Sequence, residues 1–419
     1  MRKLFSISIL FLSAGLLNAQ DMRECFDANY SDKRSTFSIN ADAFCNSNSI
    51  PVDFVDALYL GQNISSGFIN NVAGNLNAEN RIGAEFNYSI HYSYKPDSCS
   101  RYSKFEFFFS IQNRTHLDGR FSGDLFNLVF NGNKMFAGQT ANFDNFNLNL
   151  LQYQQFQIGI CSKIKAGGIR YGIGLSVLNG QQYQNILAKK AELYTSPDGE
   201  YINFNSDITY KQSNTSNTNL GSSNGAGFGV DAFAEKSFTI REELTEKIKF
   251  ELKDIGMIWW NKSSRTAVAD SLYHYDGISV NNILDPKNSA FSKLNSDSIF
   301  NKVVQSNPGK IASVLPGIIH FNSVTSYKTW QLSKGIRYMY DANYKLNVYL
   351  TGNYFITKRL MVSLGAAYGG YTVFSVNTGL GADLGSGFIV HLFSNNIEGF
   401  IIPQIALGQS VSVSIMKHF

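Results

Sequence analysis

The residues best placed for chemistry are a histidine and a serine two positions apart, His91 and Ser93. In a β-strand, side chains two positions apart point to the same face, so these two groups would lie side by side. A histidine beside a serine is the beginning of a nucleophilic site, in which the imidazole takes the hydroxyl proton. Such a site also needs a third group to orient the imidazole, and the sequence names none. We therefore expect no enzyme and interpret the pair as polar lining of a cavity.

The pair lies in Arg81–Lys95, a stretch of fifteen residues with a strict period of two. One alternate set is apolar or aromatic, from Ile82 to Tyr94, and the other is polar or small, from Arg81 to Lys95. This alternation predicts a half-buried β-strand about twice as long as an ordinary strand. The polar set includes the charged residues Arg81, Glu85 and Lys95, which either pair with one another or set the field of a pore.

Other patterns that carry chemistry are missing from the sequence. The six histidines form no recognised ligand spacing and no Cys-x-x-Cys pair occurs, so we predict no metal site. The glycine-rich segments Gly225–Gly229 and Gly379–Gly387 lack the Lys-Ser/Thr pair of a phosphate-binding loop. We predict no cofactor, and we interpret these glycines as part of an inner sheet face or a tight bend.

The composition predicts a surface unlike that of a soluble protein. Charged residues make up 16% of the 419 residues, against roughly 25% in soluble domains, while aromatic residues reach 14%. After the first twenty residues, no stretch approaches the roughly 20 apolar residues that a membrane helix needs. The other structure that crosses a bilayer is a closed β-barrel, in which neighbouring strands satisfy every backbone hydrogen bond.

The N-terminus has the form of a secretory signal peptide, residues 1–19. Arg2 and Lys3 precede an apolar run and a small residue at Ala19, so we predict cleavage there. Removal of these two basic residues lowers the formal charge from +4 to +2, which gives no electrostatic case for nucleic acid. Export permits disulfides, and Cys25 with Cys45 is the natural local pair, although spacing does not fix the connectivity.

Alternation recurs to the end of the chain and predicts the fold class. We expect an all-β transmembrane antiparallel β-barrel of about 14 strands, within a range of roughly 12 to 16. Residues 20–80 would form a periplasmic or plug-like extension, and residues 81–419 the barrel. An extramembrane insertion with a helix-like run, Ser289–Gln305, would occupy about residues 276–328.

The two faces of the strands decide which residues line the lumen. In a membrane barrel the apolar set faces lipid and the polar set faces inward, the reverse of a soluble barrel. The residues that we predict to line the lumen are Arg81, Glu85, Asn87, His91, Arg170, Asp231 and Glu235. The residues that we predict to face lipid or to form aromatic girdles are Phe86, Tyr88, Tyr92, Tyr94, Trp259, Trp260 and Phe419.

Three stretches resemble an uncharacterised family of Bacteroidota outer-membrane β-barrels. Gly227–Phe238 is followed by Lys247–Ile278, where Asp254–Trp259 reads Asp-hydrophobic-Gly-hydrophobic-hydrophobic-Trp. Leu125–Phe143 looks like the same family's Gly-Asn and Phe-Ala-Gly segment. The resemblance implies a barrel in the outer membrane of a Gram-negative bacterium, distantly like fatty-acid-channel or type IX secretion-associated barrels. It implies no activity and no catalytic residue.

Three functions follow as alternatives. The first is a channel or transporter-like barrel for a small or apolar solute, and the second is a non-transporting accessory barrel of a secretion or surface-assembly system. The third is a lipid hydrolase, because outer-membrane phospholipases carry a serine and a histidine on barrel strands. The terminal Phe419 matches the targeting signature of outer-membrane barrels. The expected partners are therefore outer-membrane lipid, the barrel assembly machinery and secretion-system components, with no nucleic acid.

Overall fold

The computed structural model describes residue 30 and residues 32–97, 100–163, 168–276 and 305–419. The predicted signal peptide, Cys25 and nearly all of the helix-like run from Ser289 lie outside these ranges. Within the described ranges, no helix is long and apolar enough to cross a membrane.

The described residues form nineteen strands and four α-helices. In chain order the strands are β1 (Ser35–Ser47), β2 (Asn80–Tyr94), β3 (Phe105–Phe121), β4 (Thr140–Asn142), β5 (Asn147–Ser162), β6 (Ile169–Thr195), β7 (Ile202–Gln212), β8 (Gly225–Arg241), β9 (Leu244–Trp260), β10 (Arg265–Tyr275), β11 (Gln305–Pro308), β12 (Ala312–Val314), β13 (Ile318–Tyr327), β14 (Trp330–Met339), β15 (Lys345–Thr357), β16 (Leu360–Gly370), β17 (Phe374–Gly385), β18 (Phe388–Asn396) and β19 (Gly408–His418). The helices are α1 (Val52–Tyr59), α2 (Ser66–Gly74), α3 (Gly123–Asn131) and α4 (Glu398–Ile401).

Fourteen of these strands close into an antiparallel barrel, which confirms the predicted fold class and strand number. The hydrogen-bonded order around the wall is β1, β2, β3, β5, β6, β8, β9, β13, β14, β15, β16, β17, β18 and β19. The last strand then pairs with the first, from Thr36 with His418 to Asn46 with Gly408. Closure leaves no free edge among the described wall strands, which is the condition for a sheet to cross a bilayer.

The two ends of the barrel differ in their connections. At the short-turn end, β8 and β9 are joined by residues 242–243, and β13 and β14 by residues 328–329. The first residue of β1 and the last residue of β19 lie at the same end. At the opposite, long-connection end, the chain segments after β1, β3, β6 and β9 are long and contain α1, α2 and α3.

The outer face of the wall is apolar and the inner face is polar. On β2, Tyr88, Ile90 and Tyr92 are exposed, whereas Glu85 and Asn87 face inward and are buried. Because the exposed face is apolar and the enclosed face is polar, the wall is built to span a membrane. Further exposed apolar residues on wall strands are Phe107, Phe109, Ile173, Leu175, Val177, Leu350, Leu364, Leu380 and Leu392.

The barrel begins earlier in the chain than predicted. β1 is a wall strand between β19 and β2, so the predicted boundary at residue 81 is wrong. The predicted extension is mostly the connection from β1 to β2, residues 48–79, at the long-connection end. There α1, α2 and α3 pack around Phe54, Val72 and Phe126, because each short helix has only one apolar face to bury.

The sheet of the wall extends beyond the barrel at the long-connection end. β6 has 27 residues, and its last part pairs with β7, which pairs with β10. Phe136, Phe143 and Ala191 belong to the apolar cluster beneath this sheet. The predicted insertion at residues 276–328 is too long, because β13 lies within it and is a wall strand. Residues 277–304 lie outside the described part of the chain.

Candidate functional site

A group of charged side chains crosses the lumen in the half nearer the long-connection end. These residues face inward from β2, β3, β8 and β9, and most of them are deeply buried. We call them the charged layer, which consists of Glu85, Arg114, His116, Asp118, Asp231 and Asp254. Four carboxylates thus surround one guanidinium and one imidazole, a combination that needs extensive hydrogen bonding to be stable away from water.

An ion pair between Arg114 and Asp254 spans the lumen. Arg114 is on β3 and Asp254 on β9, and β5, β6 and β8 separate these two strands in the wall. The guanidinium Nη1 nevertheless donates a hydrogen bond to the carboxylate Oδ2. Since both side chains are buried, this contact is much less screened than a surface ion pair.

The backbone around Asp254 is shaped to make this contact. Asp254 has φ of 57°, a left-handed conformation that few residues other than glycine adopt, and the register of β8 and β9 shifts beside it. Its backbone N–H donates to Oδ1 of Asp231 at 2.8 Å. Two residues on, a Cβ at Gly256 would lie 2.2 Å from the carbonyl oxygen of Phe228. The Asp-hydrophobic-Gly sequence therefore begins at a β-bulge, Lys253 and Asp254, inside β9 and does not mark the end of a strand.

A hydrogen-bonded row occupies the neighbouring part of the layer. Nδ1 of His116 lies 2.8 Å from Oε1 of Glu85, and the amide of Asn87 donates to Oε2 at 3.1 Å. Asp118 accepts two hydrogen bonds from Asn343, one from the backbone at 2.5 Å and one from the side chain at 2.8 Å. Asn343 belongs to the turn between β14 and β15, on the opposite side of the barrel. This turn therefore folds inward across the lumen.

The turn between β16 and β17 also folds inward and reaches β2, from which β18, β19 and β1 separate it in the wall. The ring of Tyr371, only 2% exposed, lies directly over Gly83, where a Cβ would come within 2.3 Å of it. Beside it, Nε of Arg81 donates to the carbonyl oxygen of Gly370 at 3.0 Å. Together with the charged layer, these contacts link different parts of the wall across the lumen at the long-connection end.

The half of the lumen nearer the short-turn end is lined by small polar residues and by further ion pairs, such as Lys249 with Glu251 at 3.0 Å. Small polar residues face inward from most of its strands, and the charged Arg170 bonds both Glu106 and Glu235 at 3.0 Å. The inward small residues of this half include Ser38, Asn40, Ser89, Ser110, Ser363, Gly379, Ser412 and Ser414. Apolar clusters also face inward at both ends, one around Tyr153 and Trp260 and the other around Met361 and Phe393.

The structure places the seven residues predicted to line the lumen on the inner face, but not in one site. Glu85 and Asp231 belong to the charged layer, and Asn87 donates to Glu85. Arg170 and Glu235 pair near the short-turn end, and Arg81 lies at the long-connection end. His91 stacks on Phe108 with ring centroids 5.7 Å apart.

Trp260, which was predicted to face lipid, faces the lumen instead. Trp259 is exposed on the outer face, but Trp260 is 1% exposed, and its indole N–H donates to Ser313 at 2.9 Å inside the barrel. Adjacent residues of a strand point to opposite faces, so the two indoles could not share the lipid face. On the outer side, Tyr88, Tyr92, Tyr94 and Phe419 are exposed and Phe86 is half-buried.

The cysteines and histidines provide no second candidate site. Cys45 faces outward from β1 and lies beside Ile50 and Val52, under α1. Its predicted disulfide partner Cys25 lies outside the described residues. In the part of the chain that the structure covers, no three His, Cys, Asp or Glu side chains are grouped so as to hold a metal ion.

Sequence reasoning missed most of the charged layer. Arg114, His116 and Asp118 continue the inward set of β3 that begins at Glu106, so extending the alternation beyond Gln112 would have placed them in the lumen. Their contacts with Asp254 and Asn343 had no signal in the sequence. The period of two assigns a face to each residue but not a partner 140 positions away.

Comparison with known proteins identifies a family and finds distant structural similarities. A model described as a family of unknown function (DUF5723) matches residues 28–394. A search of curated proteins gives no match. Among solved structures, the toluene transporter TodX of P. putida is 10% identical, with 92% of this chain and 90% of that chain covered and a TM-score of 0.45.

Two further structures are similar to the same degree. The toluene transporter TbuX of Ralstonia pickettii is 9% identical, covers 92% of this chain and 90% of that chain, and has a TM-score of 0.44. A FadL homologue of Pseudomonas aeruginosa is 10% identical, with 93% and 91% covered and a TM-score of 0.43. Scores this low say nothing about the solute of this chain.

Proposed function

The chain belongs to this family of unknown function, and we propose that it is an outer-membrane channel for small solutes, closed in the present conformation by the charged layer. The observation that carries the proposal is the inner lining. Small polar residues face the lumen from most wall strands on the short-turn side of the layer, such as Ser89, Ser363 and Ser414. A barrel that served only as a scaffold would be more stable with an apolar, close-packed interior.

The orientation follows from the connections. In bacterial barrels the short turns face the periplasm and the long loops face outward. The helices α1 to α3 and the sheet of β6, β7 and β10 would therefore be extracellular, and the closing contacts of Asn343 and Tyr371 would lie near the outer mouth. The predicted signal peptide supports export to a Gram-negative outer membrane. The resemblance of Asp254–Trp259 and its neighbours to Bacteroidota barrels supports an origin in that group.

The closing contacts are of a kind that can rearrange. They consist of hydrogen bonds, one ion pair and two turns, and the barrel wall itself need not open. Apolar clusters lie at both ends of the lumen, and polar groups lie between them. We therefore expect the solute to be small and to carry both apolar and polar surface.

Single-channel recording in planar lipid bilayers tests this function. The double variant Arg114→Ala with Asp254→Asn removes both charges of the ion pair together, and asparagine tolerates the left-handed backbone. Loss of a charge-assisted contact worth about 1.5 kcal/mol should raise the open probability about tenfold. The wild-type barrel should show rare openings.

A matched double variant at the surface provides the control. Arg34 and Asp97 form an exposed ion pair of 2.7 Å at the short-turn end, outside the lumen. Arg34→Ala with Asp97→Asn should leave the open probability unchanged, because exposed pairs contribute little. A membrane-inserted barrel that stays silent in both the wild type and the lumen variant would instead favour the non-transporting accessory function.

A further inference from the structure

A small cavity lies inside the barrel at the long-connection end, apart from the charged layer. Its volume is about 60 Å³. Aromatic rings and side-chain amides line it together with one guanidinium, and the residues used below are Phe44, Asn46, Arg337, Tyr344, Ala367 and Tyr371. A cavity of roughly 10–15 Å³ holds one water, so this one has room for a ligand of a few non-hydrogen atoms.

Arg337 faces this cavity without a partner for two of its donors. Nε and Nη2 are buried and donate no hydrogen bond to any described residue. The guanidinium carbon lies 5.5 Å from the centre of the Tyr344 ring, a cation–π contact that leaves the N–H groups unused. Three other inward cations each have a carboxylate partner: Arg114 is bonded to Asp254, Arg170 to Glu106 and Glu235, and Lys249 to Glu251.

The nearby acids of the lumen do not supply the missing acceptor. Glu85 is the carboxylate whose charge interacts with Arg337, but its two oxygens accept hydrogen bonds from His116 and Asn87. Asp118 is bonded to Asn343. A buried guanidinium with two free donors costs stability unless an anion binds to it. On the cavity wall, Oδ1 of Asn46 is also buried without a donor, so the cavity has hydrogen-bonding capacity beyond that of Arg337.

We propose that this cavity binds the carboxylate of a small organic acid through the guanidinium of Arg337. The planar fork of an arginine matches the two oxygens of a carboxylate, and two parallel N–H donors are free here. Phe44 and Tyr371 provide apolar contact for a short hydrocarbon part. The inference deepens the proposed channel function, since it gives the solute class and one binding position on its route.

Isothermal titration calorimetry on the full chain in detergent tests the proposal, with sodium propionate as the probe. Propionate should bind and its neutral isostere propanamide should not, because only the former complements the guanidinium. Arg337→Gln should weaken propionate binding about tenfold or more. The exposed Arg359, in the turn between β15 and β16, provides the control, and Arg359→Gln should bind as the wild type does.

Two further measurements keep the test decisive. Ala367→Val fills part of the cavity and leaves Arg337 in place, so it should also abolish propionate binding. This variant tests the proposal even if Arg337→Gln fails to fold. Excess chloride should compete only weakly, since a monatomic anion cannot accept from both N–H donors in the geometry of a carboxylate. The proposal would be overturned if propanamide bound as tightly as propionate, or if Arg337→Gln bound propionate as tightly as the wild type. It would also be overturned if chloride competed with propionate as strongly as a carboxylate does. Binding in detergent does not depend on conduction, so a silent barrel that binds propionate would refute only the channel function.

Discussion

Asp254 combines two properties that seldom occur together in a β-strand, a left-handed backbone conformation and a buried charge. The bulge turns its carboxylate toward Arg114, four strands away around the wall. Strained residues of this kind persist where the surrounding structure fixes them, and they are frequent at functional sites. The sequence motif at Asp254–Trp259 was recognised from the sequence. Only the fold shows that the carboxylate of Asp254 points into the lumen and bonds Arg114.

At the same scale, the acids of α1 give a pH-dependent prediction. Burial, and then the charge of Asp53, raise the pKa of Asp56. The charged form therefore opposes helix docking, so the wild type loses local stability as pH rises from the ordinary aspartate pKa of about 3.9 through the raised value. Asp56→Asn should slow hydrogen exchange of α1 at pH 7, and the difference should vanish near pH 3. Asp32 is exposed, so Asp32→Asn provides a control that should leave the hydrogen exchange of α1 unchanged at both pH values.

The strand is the scale at which sequence reasoning succeeded best. Long alternation predicted β2, β3, β6 and β19 because one face of each meets lipid and the other meets polar groups. β1 was missed because its outward set includes Ala41, Ala43 and Cys45, whose small side chains give little hydrophobic contrast. The charged layer could be predicted only as an inward face, since its geometry depends on how the strands wrap around the barrel.

The bulge in β9 gives a prediction at the scale of the strand. Gly256→Ala would place a Cβ 2.2 Å from a backbone oxygen of β8, which cannot move without breaking the pairing. We expect a destabilisation of about 1–3 kcal/mol, measured as a lower urea midpoint in detergent. Gly352→Ala on β15 is the matched control, because its Cβ would have no neighbour nearer than 3.7 Å. Equal midpoints for the two variants would contradict the role given to Gly256.

For the whole molecule, the composition and the alternation were enough to predict a closed barrel of about 14 strands, and the wall has fourteen. The contacts across the lumen could not be predicted in this way. Asn343 and Tyr371 lie in turns without a regular pattern, and they reach residues of β3 and β2. Turns are placed by the strands that they connect, so their contacts follow from the complete barrel rather than from local sequence.

The terminal strand gives a prediction about assembly. If Phe419 is read by the assembly machinery, Phe419→Ala should lower the amount of folded barrel in the outer membrane several-fold. Refolding of the purified chain into detergent should be unchanged, because the side chain is 59% exposed while its backbone N–H bonds Ser35. Phe374→Ala removes a similarly exposed ring, 58%, from the other end of the barrel. A similar loss in both variants would point to lipid contact instead of recognition.

The pairing of the first strand with the last also sets a kinetic constraint. Thr36 and His418 are 382 positions apart, yet their side chains lie 2.9 Å from each other. This seam forms only after nearly the whole chain has been brought together, and contacts of such long sequence separation make folding slow. Until then β1 and β19 present unpaired edges, which are prone to aggregate. The last step in the folding of this barrel is thus the pairing of β1 with β19. A folding factor that shields these two strands would act until that step.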